Sequence, residues 1–366
     1  MTNFFGSIFS SLKKQSYLGI DIGTASIKAV ELEEIHGKVT LKNYGILEGY
    51  GHLDRINNAI QTSSLKMLDK ETAGLIEELL KNMNPKTKNV VASLPAFSAF
   101  TSLLEIPVMS KEETAQAMQY QAKAFVPLPL TDVTIDWIPV GEYTDDKGVK
   151  KQQVFLVSVP NDLITKFKNI FNVVGLDLRF LEVETLSLAR LLTAGDPTTS
   201  LIVDIGARST AIAVAGGCSL KYNAQTDFAG SALTQAITKG LGINIRRAED
   251  LKRQKGLSGT GGDYQLSTLM LPYVDVILNE VRRVQDIYEK NYNDHIERII
   301  LSGGGANLVG IEKYVSDQMG NLPTIRANPF DKIAYPSELA PFVNNLGAPL
   351  SVALGLGMRQ FLPQKT

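Results

Sequence analysis

Three glycine-bearing turns, each placed directly after a short apolar run, constrain the fold of this chain more than any other feature. They lie at residues 21–24 (sequence DIGT), 204–206 (DIG) and 303–305 (GGG). A buried strand followed by a glycine turn lets backbone N–H groups close around an anion. Two such turns that each carry an aspartate can hold a polyphosphate and its hydrated cation from opposite sides, and the third can lie against a nucleoside.

Composition is that of a soluble globular protein with two or three packed units. The chain has 366 residues, of which 44% are hydrophobic and 20% are charged, and both fractions are ordinary. A net charge of −1 argues against a protein built mainly to hold nucleic acid. The single cysteine, Cys218, excludes an intramolecular disulfide framework and fits a reducing cytoplasm. No apolar stretch approaches the ~20 residues needed to cross a bilayer.

The first residues of the chain carry an apolar stripe at helical spacing. Its members are Phe4, Phe5, Ile8, Phe9 and Leu12. A signal peptide would place its positive charge before the apolar region, whereas Lys13 and Lys14 follow it here. We therefore predict that residues 1–16 form a short amphipathic helix that lies on a membrane or a partner. Packing of this helix on the body of the protein itself is the open alternative.

The order of the predicted elements divides the chain into two similar halves. Residues 17–94 and 179–198 form the first half, and residues 199–360 form the second. Each half opens with a strand, an Asp-x-Gly turn and another strand, which indicates an internal duplication of an α/β unit around a cleft. Helical periodicity predicts helices over 71–83, 231–241, 246–255 and 269–292.

Residues 95–178 are predicted to form an inserted small subdomain. Alternation of apolar and polar residues predicts strands over 101–106, 133–140 and 153–159. One helix opens at Ser110, where Glu113 stands at the spacing of a capping box, and a second helix follows Asn161. Pro127 and Pro129 hold the chain extended after the first of these helices.

These motifs resemble those of the actin-like ATPase superfamily, which includes actin, sugar kinases, chaperone ATPases and the division protein FtsA. Residues 21–28 are similar to its first phosphate motif, 204–206 to its second and 301–307 to its adenosine motif. The resemblance is closer to the PilM proteins of type IV pilus assembly, and it is carried by residues 90–95, 125–130, 134–137, 175–176, 183–190 and 353–359. It implies an actin-like (ribonuclease H-like) duplicated fold, with two halves around a nucleotide cleft and an inserted FtsA/PilM-type subdomain.

The resemblance also implies an ATP site. Asp21 and Asp204 would hold Mg²⁺ through water, as suits a cation that keeps several waters. Glu184 falls where the chaperone ATPases place a carboxylate near the attacking water, with a purely structural role as the alternative. Arg208 stands where the superfamily often has a second glycine, and it either contacts a phosphate or points outward. The other implied ATP contacts are Gly23, Thr24, Ser26, Lys28, Gly206, Ser209, Thr210, Glu249, Lys252, Gly303, Gly304, Gly305 and Asn307.

By the same resemblance we expect an ATP-binding scaffold, with at most slow ATPase activity, at the cytoplasmic face of the inner membrane. It would belong to the assembly platform of a type IV pilus or of a related type II secretion system. It would bind the cytoplasmic N-terminal tail of a PilN-like bitopic membrane protein, in a groove between the first half and the insert. A sugar-kinase-type enzyme is the alternative, and its catalytic aspartate would be Asp132, Asp136 or Asp162. An FtsA-like division protein ranks third, because it predicts a C-terminal amphipathic helix where this chain has Pro363.

Overall fold

The structure is a computed structural model that describes residues 16–49, 65–144, 147–257, 264–292 and 294–361. The predicted apolar stripe near the N-terminus and the region of Pro363 lie outside these residues. Among the described helices, none has the length and apolar character that crossing a membrane requires.

The elements follow one another in a repeating α/β order. The strands are β1 (Leu18–Ile22), β2 (Ser26–Ile35), β3 (Lys38–Glu48), β4 (Asn89–Leu94), β5 (Phe100–Pro107), β6 (Val133–Thr144), β7 (Lys150–Pro160), β8 (Asp177–Val183), β9 (Ser200–Ile205), β10 (Thr210–Gly216), β11 (Ser219–Thr226), β12 (Arg298–Ser302) and β13 (Thr324–Arg326). The helices are α1 (Leu65–Met83), α2 (Lys111–Phe125), α3 (Asn161–Val173), α4 (Glu184–Leu192), α5 (Gly230–Leu241), α6 (Ile245–Lys255), α7 (Tyr264–Tyr292), α8 (Ile311–Gln318) and α9 (Val343–Gly357).

Two five-stranded sheets have the same topology. The first has the order β3-β2-β1-β4-β8 and the second the order β11-β10-β9-β12-β13. In each sheet the first three strands are antiparallel neighbours, and the last two run parallel to the central strand. The central strands β1 and β9 are buried along nearly their whole length, as expected for strands covered on both faces. The predicted duplicated α/β fold is confirmed.

The two halves exchange a helix. Helix α4 follows β8 of the first sheet, yet it packs against β10 and β11 of the second, while α9 follows β13 and packs against β1, β2 and β4. Glycines allow this close approach. A Cβ at Gly19 would lie 2.1 Å from the carbonyl oxygen of Ala353, and one at Gly355 would lie 2.3 Å from that of Ser187. The halves are therefore joined by backbone-to-backbone contacts beneath the cleft.

The inserted region has its own antiparallel sheet, with the order β5-β7-β6. Helix α2 begins with the predicted capping box: the Ser110 side chain accepts from the N–H of Glu113, and the Glu113 carboxylate accepts from the N–H of Ser110. One face of the sheet forms a small core with α2, whereas Phe155 and Val157 on the other face join the main core. Strands β5 and β6 also contact β11 of the second half. Helix α3 packs against α1 and β8.

Two predicted helices begin clearly earlier in the structure than expected. The helix predicted over 71–83 begins six residues earlier, at Leu65. The helix expected over residues 269–292 begins five residues earlier, at Tyr264, and Pro272 lies inside it. Proline is favoured at the start of a helix and disfavoured in its interior, so Pro272 alone would not indicate this earlier start. In the structure the preceding residues continue the helix with the same apolar face, because Leu266 and Met270 are buried in the main core.

Candidate functional site

A cavity of about 930 Å³ lies between the two halves, where β1 and β9 end. Its walls contain nearly all of the predicted ATP contacts: Asp21, Gly23, Thr24, Ser26, Lys28, Glu184, Asp204, Gly206, Ser209, Glu249, Lys252, Gly303, Gly304, Gly305 and Asn307. Thr210 and Arg208 lie outside these walls. Thr210 is buried, and its hydroxyl donates to the carbonyl of Phe228 at 2.7 Å.

The two aspartate turns have the same backbone geometry. The N–H of Gly23 donates to the carbonyl of Ser26 at 3.0 Å, and the N–H of Gly206 donates to that of Ser209 at 3.1 Å. A Cβ would lie 3.0 Å from the Ser26 oxygen at the first glycine and 2.8 Å from the Ser209 oxygen at the second. A side chain would therefore crowd both turns, more so at Gly206, and the sequence duplication extends to the backbone of the site.

Both carboxylate oxygens of Asp21 have partners. Asp21 is 6% exposed. The hydroxyl of Ser93 donates to its Oδ1 at 2.8 Å, and Nζ of Lys28 lies 3.3 Å from its Oδ2. The ammonium group therefore stands beside the first turn, on the side of the cavity where Asp21 lies.

Asp204 is held differently, although it is buried to a similar degree. It is 8% exposed, and its Oδ1 accepts no hydrogen bond from the described residues. The neighbouring Ser302 directs its hydroxyl toward the carbonyl of Ala348, at 3.4 Å. Burial raises the pKa of Asp204, and the nearby Lys28 and Ser302 oppose that rise. A buried carboxylate oxygen without a donor is costly, so this atom fits a ligand that brings a donor, such as a cation-bound water.

Glu184 brings a third carboxylate to the same cavity. It is the first residue of α4, and its Oε1 accepts from the N–H of Ala96 at 3.1 Å. Burial raises the pKa of Glu184, and the negative charges of Asp204 and Asp21 raise it further. Glu184 therefore keeps its proton to a higher pH than an exposed glutamate does.

The carboxylates do not form a direct metal cage. Within the described part of the chain, no three acidic, histidine or cysteine side chains are close enough together to ligate one ion. Asp21, Asp204 and Glu184 nevertheless place three carboxyl groups in one part of the cavity wall, near the ammonium group of Lys28. This arrangement suits a hydrated Mg²⁺ that the aspartates contact through water.

The glycines after β12 shape the other end of the cavity. Gly303 has φ +78°, and a Cβ there would lie 2.5 Å from the carbonyl oxygen of Ile205. A Cβ at Gly305 would lie 2.3 Å from Cγ2 of the same isoleucine. At Gly304 a Cβ would meet nothing within 4 Å, so this residue leaves space for a ligand. The Asn307 amide donates to the carbonyl of Asn345 at 2.8 Å, which fixes its orientation.

Glu249 and Lys252 form an ion pair at 2.6 Å on α6. Glu249 also accepts from the Thr234 hydroxyl at 2.5 Å, and Lys252 donates to the carbonyl of Gly230 at 3.0 Å. Burial would raise the pKa of Glu249, but Lys252 and Thr234 outweigh it and hold that pKa below its usual value. These contacts tie α6 to the first turn of α5 and give the cavity a pre-formed wall.

Several residues of the site were missed by the sequence reasoning. Ser93 stands at the end of β4 and contacts Asp21, a position that becomes informative only once β4 is known to lie beside β1. At the mouth of the cavity, Arg253 of the second half lies 3.3 Å from Glu48 of the first. Ala96 marks the start of the insert and contacts the site through its backbone.

The aspartates that a sugar-kinase-type enzyme would require lie elsewhere. Asp132, Asp136 and Asp162 are all absent from the walls of the cavity. Asp136 accepts instead from the N–H of Trp137 at 2.9 Å, on β6 of the insert. None of the three aspartates considered for a sugar kinase therefore reaches the cavity.

Comparisons with known proteins agree with this fold. The solved PilM-PilN type IV pilus biogenesis complex contains a chain with a TM-score of 0.80 and 22% identity, covering 96% of this chain and 100% of that chain. MreB5 of Spiroplasma citri bound to AMPPNP has a TM-score of 0.53 and 14% identity, covering 96% and 97% of the two chains. The cell division protein FtsA of Enterococcus faecalis is 22% identical over an alignment of 380 positions, which covers 89% of this chain and 84% of that protein.

A family model matches nearly the whole chain. The model described as type IV pilus assembly protein PilM matches residues 19–361. That span includes both aspartate turns, the insert, the glycines after β12 and the exchanged helix α9. The chain belongs to the PilM family of type IV pilus assembly proteins.

Proposed function

We propose that this protein binds ATP with Mg²⁺ in the cavity between its halves and acts as a nucleotide-dependent scaffold of the pilus assembly platform. The observation that carries the ATP site is the pair of aspartate turns with matching backbone geometry in the walls of one cavity. The Asp204 oxygen that lacks a donor adds to it. MreB5, which shares the fold, was solved with the ATP analogue AMPPNP.

Each part of the cavity has a definite role in this proposal. The turns at Gly23 and Gly206 bring backbone N–H groups close to the phosphates, and Asp21 and Asp204 orient the waters of the cation. Bound Mg²⁺ would neutralise phosphate charge. Lys28 supplies a positive charge on the Asp21 side.

Hydrolysis is expected to be slow. A general base must give up its proton before it can accept one from water. In the nucleotide-free cavity, burial near two aspartates raises the pKa of Glu184, which favours its protonated form, and that form cannot accept a proton from water. The site therefore suits a protein that responds to bound nucleotide more than one that turns it over.

The proposed partner is the cytoplasmic tail of a PilN-like bitopic membrane protein, bound between the first half and the insert. Family membership supports it, and so does the PilM-PilN complex, whose chain has the same fold. Helix α3 of the insert packs against α1 and β8 of the first half, and this junction is where we propose that the tail binds. Binding to such a tail would hold the protein at the cytoplasmic face of the inner membrane.

The ATP site is tested by titration calorimetry with ADP and with ATP, each in Mg²⁺ and in EDTA. We expect Asp204→Ala to weaken binding by about tenfold in Mg²⁺, since a charged buried contact contributes roughly 1.5 kcal/mol or more. The loss in EDTA should be smaller, because no cation is then present. Asp317→Ala is the matched control, since Asp317 forms only a surface pair with Lys313. Equal affinities of wild type and Asp204→Ala in Mg²⁺ would refute the site.

A further inference from the structure

Ser93 makes a buried contact with the site from a different strand. Ile20 of β1 pairs with Ala92 of β4 in the parallel ladder, so the next residues, Asp21 and Ser93, lie side by side. Ser93 is 2% exposed, and its hydroxyl donates to Oδ1 of Asp21 at 2.8 Å. A hydrogen bond from a buried hydroxyl to a carboxylate is one of the stronger kinds.

The second half provides a natural comparison. Ser302 of β12 pairs with Asp204 of β9 in the same place of the duplicated sheet. Its hydroxyl is directed to the carbonyl of Ala348, and Oδ1 of Asp204 is left without a hydrogen bond. The duplication therefore places a serine beside each aspartate, but Oδ1 accepts a hydrogen bond only in the first half, where Ser93 donates to Asp21 at 2.8 Å.

Ser93 also limits how Lys28 can contact Asp21. With the hydroxyl on Oδ1, only Oδ2 lies near the ammonium group, at 3.3 Å. Without that hydroxyl, the carboxylate could rotate and turn both oxygens toward Lys28. Asp21 and Lys28 would then neutralise each other, and both would be less available to a bound ligand.

We propose that Ser93 is a positioning residue, which fixes the orientation of the Asp21 carboxylate toward the water shell of the bound cation. This role rests on the proposed Mg²⁺-nucleotide site and adds a residue that acts on it through Asp21. It predicts that loss of the hydroxyl changes the response to Mg²⁺ and leaves binding of the nucleotide itself nearly intact.

The test measures the dissociation constant of ADP in Mg²⁺ and in EDTA for four proteins: wild type, Ser93→Ala, Asp21→Ala and the double variant. The gain in affinity on adding Mg²⁺ is the ratio of the ADP dissociation constant in EDTA to that in Mg²⁺. We expect Ser93→Ala to reduce this gain by about fivefold, the effect of one lost hydrogen bond. In EDTA its affinity should stay within about twofold of wild type. In the Asp21→Ala background, Ser93→Ala should have no further effect on the gain, because the two residues act as one unit.

Ser158→Ala is the control for removal of a buried hydroxyl, because Ser158 is fully buried in the insert and its hydroxyl has no hydrogen bond within the described residues. Ser158→Ala should keep the full gain in ADP affinity on adding Mg²⁺. An Mg²⁺ gain retained by Ser93→Ala would overturn the role of Ser93 alone, as would equal losses in Mg²⁺ and EDTA. A wild-type protein without any Mg²⁺ gain would overturn the proposed site and the role of Ser93 with it.

Discussion

Charged residues are buried where the insert, the first sheet and the end of α9 meet. Glu182 of β8 is 4% exposed, and Arg190 donates to both of its oxygens, at 2.9 and 2.8 Å. Arg359 also contacts Glu182, and its guanidinium lies over the ring of Phe180 at 4.2 Å. Two cations, Arg190 and Arg359, thus surround one carboxylate. Asp136 of the insert provides a negative charge near Arg359.

This arrangement makes Asp136 sensitive to pH. Burial raises its pKa to about 6, although the Trp137 N–H and Arg359 oppose the rise. The folded protein therefore binds this proton more tightly than the unfolded chain, whose pKa is near 3.8. The stabilisation is complete below pH ~4 and is lost as the pH rises through ~6.

We expect Asp136→Asn to raise the free energy of unfolding at pH 7, because the neutral amide avoids the cost of a buried charge. The gain is at most about 3 kcal/mol, and it is smaller to the extent that the partly exposed side chain is solvated. The variant should also lose the fall in stability between pH 4 and 6. Urea unfolding at several pH values measures both effects, and a variant with the same pH profile as wild type would contradict them.

At the scale of elements, α4 and α9 can cross closely because a glycine, Gly355, stands at their contact. Gly355 of α9 approaches the backbone of Ser187 so closely that a Cβ would lie 2.3 Å from its carbonyl oxygen. Neither backbone can shift easily, since α4 is held on the second sheet and α9 on the first. The two helices therefore fix the angle between the halves.

Gly355→Ala should destabilise the protein by about 2 to 3 kcal/mol, the usual effect of overpacking a tight contact. Gly74→Ala is the matched control in another helix, because Gly74 is exposed on α1 and a Cβ there meets nothing within 4 Å. That substitution should stabilise by about 1 kcal/mol through helix propensity alone. Denaturant unfolding followed by circular dichroism compares the two, and equal effects of the two substitutions would disprove the crossing argument.

How far the sequence predicts the structure also depends on the element. The capping box at Ser110 and the helix over 246–255 were predicted within a residue, because local patterns specify them. The exchange of α4 and α9 could not be predicted, since periodicity shows which face of a helix is apolar but not which sheet covers it. For the same reason the sequence indicated Asp21 but not Ser93, whose contact depends on the pairing of two distant strands.

At the scale of the whole molecule, the insert touches both halves and the cavity. Its entry segment contributes Pro95 and Phe97 to the cavity wall, and the N–H of Ala96 donates to Glu184 at 3.1 Å. Strands β5 and β6 contact β11 of the second half. A change at the nucleotide would thus reach the proposed partner groove by two short routes.

We expect Mg²⁺-ATP to tighten binding of the partner's tail peptide by about fivefold, within the usual range of coupling between sites. Ala96→Pro removes the N–H that contacts Glu184, and Pro95 already has the extended backbone, ψ 144°, that a following proline requires. Without nucleotide, the variant should therefore bind the peptide as wild type does. With Mg²⁺-ATP, it should lose most of the increase in peptide affinity. Fluorescence anisotropy of a labelled peptide measures both, and calorimetry confirms that the variant still binds ATP. If Mg²⁺-ATP tightens peptide binding to Ala96→Pro as much as to wild type, coupling through the contact between Ala96 and Glu184 is excluded.

The exchanged helix also affects how the protein is made. β1 is the first described strand to leave the ribosome, and α9, which covers it, is the last described helix. At a synthesis rate of roughly 5 to 20 residues per second, β1 remains uncovered by α9 for a time on the order of tens of seconds. During that time the apolar residues Leu18 and Ile20, fully buried in the finished protein, are open to chaperones and to other nascent chains. We therefore expect the N-terminal half to reach its final packing only after α9 has been synthesised.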